Sequence, residues 1–180
     1  MSKNIYKTTI ITYLVTLFSF GLDQWSKQAI IKAMPITVDL VNHTYSRYPS
    51  YEFLPFLWFT HVVNFGAAFS SFFGQRYLLI LFAGTISLGI MAFEWMSRKE
   101  RTKLLSFALG FILAGAWGNL FDRIRLGYVT DFFDLRYQGN NIFAIWNVAD
   151  MSIDLGIGLL ILYYIFQEGK QPKDNNQTKD

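Results

Sequence analysis

The sequence predicts an all-α membrane protein: four transmembrane helices carrying a small extracytoplasmic β-sheet. Three observations predict it. Hydrophobic residues make up 52% of the 180. Only 16% are charged, where soluble domains carry roughly a quarter. The apolar residues also gather into four runs, 8–22, 77–95, 104–120 and 151–166. A hydrocarbon core of ~30 Å needs about 20 helical residues, so the shorter runs must recruit flanking polar positions. The predicted spans become 8–26, 76–97, 103–122 and 149–167. Neither an internal repeat nor a linker rich in Gly, Ser or Pro divides the chain, which reads as one membrane-embedded domain over 1–169 with a polar tail, 170–180.

The first run follows Lys3 and Lys7 as a signal peptide would, but it continues into Asp23-Gln24-Trp25-Ser26-Lys27 with no small-residue cleavage pattern. It is therefore expected to be retained as a span. Four spans put both termini on one side, together with the basic turn Arg98-Lys99-Glu100-Arg101-Thr102-Lys103 and the tail lysines Lys170, Lys173 and Lys179. The positive-inside rule makes that side cytoplasmic, which sends the longer connections 23–76 and 121–150 outward. Residues 52–63 are rich in aromatic and β-branched types and predict a strand, which Pro55 would confine to an edge or bulge. Residues 131–137 are a second strand candidate.

The net charge of +3 does not point to nucleic acid, because the Lys and Arg residues cluster at the ends of apolar runs and form no basic stripe with interleaved aromatics. The absence of cysteine excludes disulfides, thiolate metal sites and a cysteine nucleophile.

The chemistry-bearing residues collect at one membrane face. Asn119 and Asp122 lie three apart at the end of the third span and share a helical face. Asn147 and Asp150 repeat that spacing at the start of the fourth. Carboxylates at the edge of the hydrocarbon are costly and are kept for a partner or a function. Brought together, two aspartates can share one proton, so that one acts as acid while the other activates water. The spacing fits structural roles equally well: Asn147 as a helix cap, Asp150 favouring the helix dipole, and Asp122 pairing with Arg123 or Arg125. Asp23 and Lys27, at i and i+4, suit an ion pair, as do Glu94 and Arg98. Residues Asn64-Phe65-Gly66-Ala67-Ala68-Phe69-Ser70 offer small positions for close approach. His61 reads as structural, and Asp154, one turn deeper than Asp150, has no firm role. A transporter, a lipid-binding protein or a non-catalytic assembly factor are the rival classes, but the polar groups leave no path to the opposite face. No His-Glu-x-x-His zinc motif is present.

Four ordered clusters resemble the lipoprotein signal peptidase (signal peptidase II) family: Asp23-Gln24-Trp25-Ser26-Lys27, Asn64-Phe65-Gly66-Ala67-Ala68-Phe69, Gly118-Asn119-Leu120-Phe121-Asp122-Arg123 and Asn147-Val148-Ala149-Asp150. The resemblance implies an aspartyl endopeptidase of the bacterial cytoplasmic membrane that cleaves diacylglyceryl-modified prolipoproteins before the lipidated cysteine. It implies Asp122 and Asp150 as the catalytic pair, supported by Asp23, Lys27, Asn64, Gly66, Ala68, Asn119, Arg123, Asn147 and Asp131, the last in a Val-x-Asp-Phe-like stretch. It further implies no metal or other cofactor, membrane lipids and prolipoproteins as partners, and a site at the outer face; a monomer is the expected state. The chain departs from the family pattern at Trp146, at His61-Val62-Val63 and in a longer first loop, 36–51.

Overall fold

The computed structural model describes residues 2–46, 49–66, 72–97 and 102–168. The elements run α1 (Ser2–Ala33), β1 (Val38–Asp39), β2 (Thr44–Tyr45), β3 (Ser50–Leu54), β4 (Leu57–Asn64), α2 (Arg76–Met96), α3 (Lys103–Arg125), β5 (Val129–Tyr137), β6 (Asn140–Asn141) and α4 (Val148–Glu168). The basic turn at 98–101, the tail from 169 and Ala68 lie outside the described residues.

The third helix is the centre of the bundle and, among the described residues, has more buried residues than any other helix, among them Leu105, Ala108, Leu109, Leu113 and Ala114. Helices in lipid gain little from hydrophobic burial, so they associate through close packing of small residues. A Cβ on Gly110 would sit 2.7 Å from the Thr12 carbonyl oxygen, and one on Gly156 would sit 2.8 Å from that of Ala108. One on Gly115 would collide with the Ala149 carbonyl. These glycines bring α1 and α4 onto α3 at backbone distance.

Among the described residues, three helices, α2, α3 and α4, are long and apolar enough to cross a membrane. The first is longer still but is diluted by polar residues along its inner face, where Thr12, Thr16 and Asp23 are fully buried and Ser19 and Lys27 nearly so. Its outward residues are apolar, with Leu14, Phe18 and Trp25 exposed. This inside-out amphipathicity is satisfied by hydrogen bonds. The Thr12 hydroxyl donates to Glu94 Oε1 (2.7 Å), and that of Thr16 to the Gly110 carbonyl (3.1 Å). Glu94, expected at a helix-end ion pair, is thus a buried acceptor; Arg98 falls outside the described residues.

The four-stranded antiparallel sheet has the order β3-β4-β5-β6. The single strand expected over 52–63 is instead a hairpin that turns between Leu54 and Leu57. Pro55 lacks the N–H that a continuous ladder needs and presets φ for a turn. The strand expected at 131–137 is the longer β5, with Asp131 opposite Val62 and Val129 opposite Asn64. A small hairpin, β1–β2, not anticipated from the sequence, occupies the long first loop.

A Gly115→Ala variant is expected to lose about 1–3 kcal/mol by overpacking, whereas Gly158, with open space around it, should tolerate alanine. Thermal unfolding in detergent distinguishes them, and equal melting temperatures would contradict the close α3–α4 packing.

Candidate active site

Three elements converge at one end of the bundle: the last turns of α1, the C-terminal end of α3 and the start of α4. Between them lies Lys27, 1% exposed. Its Nζ is 2.9 Å from Asp23 Oδ2 and 2.9 Å from Asp122 Oδ2, and donates to Asn119 Oδ1 at 3.1 Å. Asp23 then reaches the third element, since its Oδ1 accepts the Ala149 N–H at 2.8 Å. Gly118 is obligatory beside it: a Cβ there would lie 2.5 Å from Asp23 Oδ2. Gln24, unassigned from the sequence, bridges the two acids by donating to Asp23 Oδ2 and Asp122 Oδ1, each at 3.0 Å. It already stands within the first cluster, but its bond to Asp122 forms only once α3 is packed alongside.

Asp122 is therefore enclosed by Lys27 and Gln24, with the Thr130 N–H at 3.4 Å from Oδ2. Neither Arg123 nor Arg125 is its partner among the hydrogen bonds and ion pairs of the described residues. Arg123 instead donates to the carbonyls of Asn119 (3.2 Å) and Gly66 (2.7 Å), tying α3 to the end of β4.

Asp150 is held separately. Its Oδ1 accepts from Asn119 Nδ2 at 2.7 Å. With Asn147 it forms a capping box: the Asp150 N–H donates to Asn147 Oδ1 (3.0 Å) and the Asn147 N–H to Asp150 Oδ2 (3.3 Å). The Asn147 side chain also donates to Asn119 Oδ1 (3.2 Å) and to Asp131 Oδ1 (2.6 Å). Asp131 Oδ2 accepts from Asn64 Nδ2 at 3.0 Å, while Asn64 Oδ1 accepts the Gly66 N–H at 2.9 Å.

The strand β5 delivers Asp131 to this place. The N–H groups of Phe132 and Phe133 both donate to the Trp146 carbonyl, and the Trp146 N–H donates to that of Phe133. This stitching sets Asn147 beside Asp131. A cavity of about 1030 Å³ is lined by Asn64, Asp131, Trp146, Asp150 and Asp154; Asp122 is not on its wall. The resemblance pairs Asp122 with Asp150, but Asp122 is ion-paired with Lys27 outside the cavity, whereas Asp131 lines it together with Asp150 and Asp154. Burial first, and the charge of Asp150 second, push the Asp131 carboxyl up to about 7.

Outside this centre, His61 is buried, with Nδ1 2.6 Å from the Met34 carbonyl, joining β4 to the end of α1. A second buried acid, Asp134, was not singled out from the sequence; it accepts from Thr60, Arg136 and Asn141 within the sheet. Among the described residues, no group of three or more His, Cys, Asp or Glu side chains is arranged to hold a metal ion.

Comparison with known proteins converges on one family. The family model described as signal peptidase (SPase) II matches residues 15–166. A lipoprotein signal peptidase of Alteromonas mediterranea is 36% identical over 178 residues, covering 96% of this chain and 90% of that protein. One from Coxiella burnetii is 37% identical over 151 residues, 82% and 92% of the two chains. A solved structure described as a bacterial membrane enzyme superposes with a TM-score of 0.73 at 27% identity, covering 93% of this chain and 94% of that one.

Removing the central cation would leave two buried carboxylates, Asp23 and Asp122, without their common partner, a loss worth about 3–5 kcal/mol. Lys27→Met is accordingly expected to lower the melting temperature of the detergent-solubilised protein sharply. Wild-type stability in that variant would mean that the ion pairs contribute nothing to the bundle.

Proposed function

Since the chain belongs to the signal peptidase II family, we propose that Asp131 and Asp150 are its catalytic pair. The protein is a lipoprotein signal peptidase, an aspartyl endopeptidase that removes the signal peptide from lipoprotein precursors. The observation that carries the choice of pair is that Asp131 and Asp150 line one cavity, while Asp122 is ion-paired with Lys27 away from it.

One proton is shared by the two cavity carboxylates. A carboxylic acid on one polarises the scissile carbonyl, the carboxylate on the other takes a proton from water, and that proton is returned to the leaving amine. The raised Asp131 supplies the acid at neutral pH, although the titration belongs to the pair. Asn64, Asn119 and Asn147 fix the orientation of both groups. Lys27 keeps Asp122 and Asp23 from competing for the shared proton, so Asp23, Lys27, Asp122 and Arg123 serve to position the pair. Asp154 lies on the cavity wall and is assigned no step.

The substrate reading follows from the same arrangement. The apolar outward side of α1 supports reading it as a fourth span beside α2, α3 and α4; on that reading both termini lie in the cytoplasm and the cavity at the outer face. The signal helix of a diacylglyceryl-modified precursor lies along the spans, its acyl chains remain in lipid, and the bond before the modified cysteine meets the carboxylates. Gly66 lets backbone approach the site closely, and Ala68 is retained as a supporting position on the resemblance alone.

Asp131→Asn and Asp150→Asn should each slow processing of a lipidated precursor by at least about 10³-fold while leaving the melting temperature near wild type. Asp122→Asn should instead lower the melting temperature. Substantial cleavage by Asp131→Asn would sink this pair. The pH dependence carries a sign as well: a carboxyl raised to about 7 keeps its proton below that value and loses it above. Processing should therefore decline on the alkaline side with an apparent pKa near 7, and a flat profile from pH 6 to 9 would argue against a shared proton.

A further inference from the structure

The long first loop contains a hairpin with no assigned role, and its side chains reach the catalytic cavity. Strands β1 and β2 pair Val38 with Tyr45 and Asp39 with Thr44. The tip is stiffened by Asp39, whose Oδ1 accepts the N–H groups of Val41 (2.9 Å) and Asn42 (3.1 Å) and whose Oδ2 accepts from Asn42 Nδ2 (2.7 Å). The open end is closed by the Ser46 N–H donating to the Thr37 carbonyl (2.9 Å), with the Thr37 N–H donating to Ser46 Oγ (3.0 Å). At the tip, Leu40 lies against Gly127, where an added Cβ would be 3.3 Å from its Cδ2. The hairpin therefore spans from the end of α1 to the turn after α3.

His43 adopts a left-handed backbone (φ 51°), a conformation that costs a non-glycine residue energy and needs compensating contacts. Its imidazole makes edge contacts with Phe65 (centroids 5.1 Å apart) and Phe73 (5.6 Å). Gly74, itself at φ 73°, lies beneath that ring, and a Cβ there would be 3.5 Å from His43 Cε1. His43 and Tyr45 line the same cavity as Asp131 and Asp150.

We infer that this hairpin, through His43 and Tyr45, selects the residue immediately after the lipid-bearing cysteine of the substrate. The inference rests on the Asp131–Asp150 reading and on the substrate's direction through the site. The signal helix lies along the apolar spans, so the mature segment leaves outward, on the side where β1 and β2 follow the outer end of α1. A rigid imidazole wall, anchored on two phenylalanines, narrows the space for that segment and favours a small side chain.

The test uses the full-length protein in detergent and lipidated precursor peptides that carry either Ser or Trp directly after the cysteine. His43→Asn preserves the left-handed backbone, which Asn tolerates, and removes the ring contacts. It should raise kcat/KM for the Trp substrate relative to the Ser substrate by roughly tenfold. Tyr45→Ala should shift the ratio in the same direction and serves if His43→Asn does not fold. An unchanged ratio in an active, folded variant overturns the inference, as does a change that follows acyl-chain length and not the residue after the cysteine. Asp131→Asn, run alongside, separates the two readings: with the dyad correct it cleaves neither peptide. Cleavage of both by that variant would refute the dyad without reference to the hairpin.

Discussion

The structure depends on one buried ammonium. Lys27 comes from α1 and contacts Asp23 on its own helix and Asp122 and Asn119 on α3. Asp23 passes the connection to α4 through the Ala149 N–H. Three helices are thereby locked in register at the same depth. An ammonium and two carboxylates taken out of water carry a desolvation cost of several kcal/mol per ion, and only this geometry offsets it. Any axial slip of α1 against α3 would break the Lys27–Asp122 ion pair and the Lys27–Asn119 hydrogen bond at once, which makes the cluster a strong constraint on register.

The same cluster shapes the neighbouring chemistry. By occupying Asp122, Lys27 removes one carboxylate from competition, and through Asn119 it stands one hydrogen bond away from Asp150. Asn147 extends the chain of contacts to Asp131. Asp131 and Asp150 on the cavity wall are thus held by neutral amides, while Asp23 and Asp122 beside it are held by a cation. Amide donors orient a carboxylate without supplying the full counter-charge that would fix it in the ionised form. That contrast is the physical basis for assigning proton transfer to one pair and positioning to the other.

The sheet contributes through its placement of adjacent side chains. Asp131 lines the polar cavity, while Phe132, next in the strand, is buried against Phe59 and Phe133. The backbone bonds from Phe132 and Phe133 to Trp146 hold the entry to α4 at a fixed distance from β5. A one-residue slip in that pairing would exchange Asp131 for an aromatic residue. Trp146 therefore sits on both the backbone stitch and the cavity wall.

Much of this was legible in the linear sequence. Hydropathy located the long helices, because lipid requires a continuous apolar run whatever the neighbours are. The four polar clusters identified the family and named Asp150, Asn119, Asn147, Asp23 and Lys27, each at a span end where a polar residue is conspicuous, and Asn64, beside small residues in the long loop. Pairing was another matter. Asp122 and Asp131 are nine positions apart, and each could in principle be brought near Asp150. Which one shares its cavity was decided by Lys27 reaching across from α1 and by β5 docking on Trp146, contacts separated by up to 95 residues in the chain. Local spacing records which residues share a helical face. It carries no information on which buried acid meets the Lys27 ammonium and which is left with amides, and that difference in partner arises from tertiary packing alone.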